Sequence, residues 1–182
     1  LENFEFDMTA FEEQLDRFIE MFELALAEQK MDEVVKRLEK LAEEQEAIVE
    51  ELSKDEDMTT LASRERRQEE SFKTLEQAMK DAANAMEALS PDASQQLSEL
   101  AESELTETTA SDLNEARTEM QNLNSSGASE SGGQASSGLN EMLEIAQEIQ
   151  SDFQEDTVDE MLRKFLALIR NLLYISQEQE NL

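Results

Sequence analysis

MLRKFLALIRNLLYI, residues 161–175, is the most apolar stretch of a chain that is otherwise acidic and polar. Met161, Phe165, Leu168, Leu172 and Ile175 recur at spacings of four, three, four and three, so they share one stripe of an α-helix. Leu162, Leu166, Ile169 and Leu173 form a second stripe beside it. Two adjoining stripes make a wide apolar arc, which neighbours must cover from more than one side. Upstream, Thr157 and Glu160 have the spacing of a capping box, in which the Thr hydroxyl accepts from a first-turn N–H and the Glu reaches back to the Thr N–H. The stretch reads as a helix that starts after Thr157 and around which the other helices wrap. A membrane span needs about 20 consecutive apolar residues. This run is shorter and is interrupted by Arg170 and Asn171, so direct membrane insertion is not expected.

The same chemistry governs the rest of the chain. One Pro and four Gly among 182 residues leave few places to stop a helix. The expected fold is all-α: an antiparallel helical bundle of about six or seven amphipathic helices with coiled-coil-like packing. The expected domains are an N-terminal part over 1–124, a flexible Gly/Ser linker over 125–138, and a C-terminal hairpin over 139–182 that packs back on the first part.

In chain order, Thr9 and Glu12 form a first capping box, followed by Phe11, Leu15, Phe18, Phe22 and Ala25 at helical spacing. The stripe breaks frame near Gln29–Met31, where Asp32 reads as the N-cap of a second helix. Met31, Val34, Leu38, Leu41, Gln45, Ile48 and Leu52 then form a heptad seam with one polar member, Gln45. Residues 9–53 read as a helical hairpin, or alternatively as one long helix with a phase slip. A polar loop follows over 53–60. Its Asp55, Glu56 and Asp57 lack the alternation and the Gly of an EF-hand, so a solvated loop is expected. A helix over about 61–89 carries Phe72, Leu75, Met79, Ala82, Met86 and Leu89. Its Arg64, Arg66 and Arg67 sit among Glu65, Glu69 and Glu70, a pattern for ion pairs along the helix. Ser90 and Pro91 stop that helix and open the next. Two weakly apolar, peripheral helices are expected there, around Leu97–Leu105 and Leu113–Leu123, the second capped by Ser111. NSSGASESGGQASSG, residues 124–138, has the composition of a flexible linker. A helix resumes at Leu139, turns at Gln154–Asp156, and leads into the opening stretch.

Composition also excludes functions. The chain has neither Cys nor His. Disulfides, thiolate metal sites and the commonest general base are absent with them. Dinuclear metal sites in helical bundles usually need Glu-x-x-His, which cannot occur here. No catalytic residue, cofactor-binding residue, metal ligand or cofactor is therefore assigned, and the chain is not expected to be an enzyme. With 45 acidic and 15 basic residues the net charge is −30. Such a surface repels phosphates, so nucleic acid is not an expected partner. It suits a high-salt environment, where screening relaxes self-repulsion. The chain opens at Leu1 with no leader pattern, which is expected of a piece of a longer protein.

The two ends echo each other. MDEVVKRL (31–38) parallels VDEMLRKF (158–165), and LEKLAEEQE (38–46) parallels LLYISQEQE (172–180), with one extra heptad in the second copy. Gln45 and Gln179 take the same place in the seam. LEKLAEEQEAIVEEL (38–52) and IRNLLYISQEQENL (169–182) resemble segments of large bacterial envelope proteins of unknown function, which have N-terminal membrane helices and long Glu/Gln-rich helical regions. The resemblance implies an extracytoplasmic helical scaffold and no catalytic residues.

The functional expectation is a non-enzymatic helical scaffold or protein–protein interaction module. Its partner is another protein or a second copy of itself. The alternative is an acidic chaperone or adaptor for a basic or secreted protein; a carboxylate-only metal bundle comes last. The candidate core or interaction face is Met161, Leu162, Phe165, Leu166, Leu168, Ile169, Leu172, Leu173 and Ile175. The candidate heptad seam is Val34, Leu38, Leu41, Gln45, Ile48 and Leu52.

Overall fold

The computed structural model describes residues 8–54 and 57–180, with side chains described over most of 15–158 and, beyond that, at Leu162, Leu166 and Ile169. Its elements are five α-helices: α1 (Met8–Leu52), α2 (Met58–Met86), α3 (Pro91–Ala101), α4 (Glu104–Gln121) and α5 (Ser125–Glu180). No strand occurs among the described residues.

Each break has a local cause. Asp57 caps α2, its carboxylate accepting from the Thr60 N–H at 3.0 Å and the Thr60 hydroxyl at 2.7 Å. Pro91 opens α3 at a position where its missing N–H costs nothing. Ser103 separates α3 from α4: its Oγ accepts from the Thr106 N–H at 3.2 Å and donates to the Leu100 carbonyl at 2.8 Å. After α4 the chain reverses through Leu123, whose φ of 57° is left-handed. The Asn124 N–H returns to the Glu119 carbonyl at 2.9 Å, closing the six-residue loop of a Schellman cap around it.

The helices run antiparallel in sequence order. Gln45 meets Glu65 and Arg37 meets Thr74 across α1 and α2. Arg117 meets Glu69 across α4 and α2, Thr106 meets Met142 across α4 and α5, and Gln150 meets Asp32 across α5 and α1. The result is a bundle of four columns, the third of them broken into α3 and α4. Two apolar clusters fill it. The larger joins Met31, Val34, Leu38 and Leu41 to Phe72, Leu75, Met79, Leu97, Leu113 and Phe153. The smaller joins Ile48, Leu52, Leu61, Ala116, Met120 and Ala128.

Several sequence expectations are corrected. Among the described residues the helices number five rather than six or seven, because both expected hairpins are single helices; over 9–53 the structure takes the alternative of one long helix with a phase slip. In α1 the buried line is Leu24, Ala27, Met31 and Val34, which runs through Gln29–Met31 without a turn. The frame shift there marks a change of buried face rather than a chain reversal. Asp32 lies mid-helix, bonded to Gln150 Nε2 at 2.7 Å. Thr157 is likewise internal and buried; its hydroxyl donates to the Phe153 carbonyl at 2.7 Å, a back-bond that leaves no cap to form. Ser111 is inside α4.

The largest correction concerns 125–138. These residues are the first turns of α5, not a linker. Ala128, Ser131 and Ala135 are buried at helical spacing. Their small size serves packing: a Cβ on Gly132 would lie 3.2 Å from Val49 Cγ2, and one on Gly138 would collide with the Thr109 side chain. Composition alone reads such a stretch as flexible, whereas here the absent side chains let α5 approach α1 and α4 closely. The middle helices are not peripheral either, since Leu97, Leu100, Leu113 and Met120 are core residues. Asp55 and Glu56 lie outside the described residues.

Candidate functional site

Two features stand out from the packed bundle. The first is its open end. Continuing the α1–α2 register from Gln45–Glu65 and Arg37–Thr74 brings the last residue of α2, Met86, level with Leu24. Ser90, just past α2, donates to Asp156 Oδ2 of α5 at 2.7 Å. Leu24 and Asp156 thus mark the end of the four-column region. Both outer helices continue beyond it: α1 from Glu23 back to Met8, and α5 from Thr157 on to Glu180. At 1.5 Å per residue these overhangs are about 24 Å and 36 Å long.

The overhangs carry large apolar side chains in solvent. On α1 these are Leu15, Phe18, Ile19, Met21, Phe22 and, at the margin, Leu26; Phe22 is 76% exposed. On α5 they are Val158, Leu162, Leu166 and Ile169, the middle two each 55% exposed. Of the sequence-derived face, then, Leu162, Leu166 and Ile169 are not enclosed by this chain. The side chains of Met161, Phe165, Leu168, Leu172, Leu173 and Ile175 lie outside the described residues. All six members of the candidate seam, Val34, Leu38, Leu41, Gln45, Ile48 and Leu52, are buried.

The second feature is a polar layer between the two apolar clusters. The buried line of α2 runs Leu61, Glu65, Gln68, Phe72, Leu75 and Met79, at spacings of four, three, four, three and four. Helical periodicity therefore turns Glu65 and Gln68 inward, opposite Gln45 of α1. Gln45 and Glu65 have no solvent exposure. Gln45 Nε2 donates to Glu65 Oε1 at 3.1 Å and to the Gly132 carbonyl at 3.5 Å. Gln68 Nε2 donates to the Leu41 carbonyl at 2.8 Å. Gln45 Oε1 and Glu65 Oε2 have no hydrogen-bond partner among the described residues.

Burial pushes the Glu65 carboxyl up to about 8. The Gln45 bond acts against that rise, Glu69 reinforces it, and Arg117 and Arg64 oppose it. The two arginines are engaged nearby. Arg64 bridges to Glu44 at 2.8 Å and to Glu51, both on α1, and Arg117 pairs with Glu69. Only part of the basic cluster thus pairs along its own helix, Arg66 with Glu70 at 3.6 Å. No group of three or more acidic side chains disposed to hold a metal occurs among the described residues. No described helix is long and apolar enough to cross a membrane.

The chain matches no family model, no curated protein and no solved structure.

Sequence reasoning assigned Glu65 to surface ion pairs. The signal that finds it is the α2 stripe read backwards: from Phe72, the same spacing reaches Gln68, Glu65 and Leu61. A polar residue at a seam position of α1 then faces a polar pair at seam positions of α2.

Proposed function

We propose that this chain is a non-enzymatic helical scaffold whose work is protein–protein association through the overhanging ends of α1 and α5. The supporting observation is the ten large apolar side chains exposed on those ends, from Leu15 to Leu26 and from Val158 to Ile169. Large apolar side chains exposed in this number support an interaction site. A helix pair that leaves a four-column bundle lacks the two columns that would cover it. A second copy supplies two helices of the same kind, so self-association is the simplest way to complete the four. Charge supports this arrangement: residues 161–177 hold Arg163, Lys164 and Arg170 and no acid, whereas residues 12–23 of α1 hold five acids and one Arg. Coiled-coil-like packing of the overhangs belongs to this reading, as does high-salt adaptation of the acidic surface. The resemblance of 38–52 and 169–182 to bacterial envelope proteins is what supports an envelope setting.

The net charge of −30 favours a second reading, an acidic adaptor for a basic partner. A salt series separates the two. Apolar association strengthens or holds as salt rises toward molar concentrations, whereas charge-steered docking weakens steeply. Loss of association at high salt overturns the first reading in favour of the second.

A further inference from the structure

We propose that Glu65 is a proton-binding site in the bundle core: it is held as the neutral acid at neutral pH, and its Oε2–H donates to Gln45 Oε1. The argument is one of matching. Gln45 uses its amide N–H groups on Glu65 Oε1 and the Gly132 carbonyl, which leaves its carbonyl oxygen without a donor. Glu65 accepts on Oε1, which leaves Oε2 without a partner. Two orphaned acceptors on facing, fully buried side chains are costly. One proton on Oε2 turns one of them into a donor for the other. Amide and acid then form a ring of two hydrogen bonds between α1 and α2, and no buried charge remains.

The surroundings favour the neutral form. From α1, Glu44 and Glu51 are taken up by Arg64. From α4, Arg117 is taken up by Glu69, a neighbour of Glu65 on α2. From α5 comes the Gly132 backbone, and the nearby Glu130 is exposed. Among the described residues no cation pairs with Glu65 itself; Arg117 and Arg64 act on it only from their ion pairs with other acids. The raised carboxyl of Glu65 agrees with this geometry. Because this layer separates the larger cluster from the smaller, its ionisation places a charge between the two halves of the core.

The test is carbon-13 NMR of the full chain labelled at Glu side-chain carboxyls, followed from pH 3 to 10. One carboxyl resonance is expected to keep its protonated shift at pH 7 and to titrate near pH 8, so that acid outnumbers carboxylate roughly tenfold at neutrality. It should be missing from Glu65→Gln, and the Gln45 side-chain amide should move with the same midpoint. The wild-type titration reads the result without any variant. If every Glu carboxyl titrates in the ordinary range near 4 to 5, Glu65 is an ionised group satisfied by water or a cation, and the proposal is overturned. A midpoint near 8 that leaves the Gln45 amide unmoved overturns the ring.

Discussion

Gln45 of α1 and Glu65 of α2 face each other at 3.1 Å in a layer where neither side chain reaches solvent. The bundle thus carries a polar stratum between two apolar clusters, and that stratum has a pH signature. Unfolded, Glu65 titrates near 4.5; folded, near 8. The folded state holds the proton more tightly, so the contribution to stability is complete below about 4.5. It declines as pH rises through about 8 and is constant above. The steepest slope is about 1.4 kcal/mol per pH unit. Glu65→Gln keeps a donor and an acceptor without the charge. Urea unfolding at pH 5.5, 7 and 8.5 should show the variant gaining on the wild type at each step. A constant difference across the series contradicts the assignment.

The glycines of α5 give a paired prediction. Nothing lies within 4 Å of a Cβ on Gly133, so Gly133→Ala should stabilise the helix by up to about 1 kcal/mol. A Cβ on Gly138 meets Thr109, whose hydroxyl donates to the Leu105 carbonyl at 2.7 Å. Gly138→Ala should cost about 1–3 kcal/mol, and Thr109→Ala in the same chain should recover part of it. Thermal melts of the four chains check this. Equal and small effects at both glycines would fit a linker rather than a packed helix.

Leu123 is a third site. Its left-handed backbone costs an L-residue about 1–2 kcal/mol, and its side chain is exposed. Leu123→Gly and Leu123→Asn should both raise the melting temperature, as favoured residues at the C′ position of a Schellman cap. A fall in both would mean that the side chain makes a contact worth more than the strain.

What was legible in the sequence divides along physical lines. The all-helical class and the buried lines Met31–Leu52 and Phe72–Met86 are direct consequences of apolar spacing. Helix ends were less legible. Thr157, Asp32 and Ser111 have cap chemistry, but tertiary packing runs the helix straight through each of them. Gly and Ser at 125–138 look flexible in isolation, and only the neighbouring Val49 and Thr109 reveal that smallness is the requirement there. Glu65 was hidden by its charged neighbours, since Arg64 and Glu69 make the segment look like a solvated face. Leu162, Leu166 and Ile169 have the pattern of core, yet the columns that would cover them end at Met86 and Ser90. Periodicity identifies an apolar face without saying which molecule covers it.

The overhangs yield a prediction about what charge does there. Phe22→Glu and Leu166→Glu lie on exposed surface, so each should change unfolding stability by no more than about 0.5 kcal/mol in a chain that is monomeric when measured. Phe72→Ala in the enclosed core should instead cost about 3–5 kcal/mol. Denaturant titration at low protein concentration separates the two behaviours. Comparable losses for all three would place the overhangs inside a folded core of a single chain.

Sedimentation equilibrium of the full chain over a wide concentration range, with and without Phe22→Glu plus Leu166→Glu, tests association through the overhangs most directly. The wild type should fit a reversible monomer–dimer equilibrium, and the doubly substituted chain should remain monomeric while keeping its helical circular dichroism. A wild-type chain that stays monomeric throughout, or a dimer that both substitutions leave intact, contradicts it.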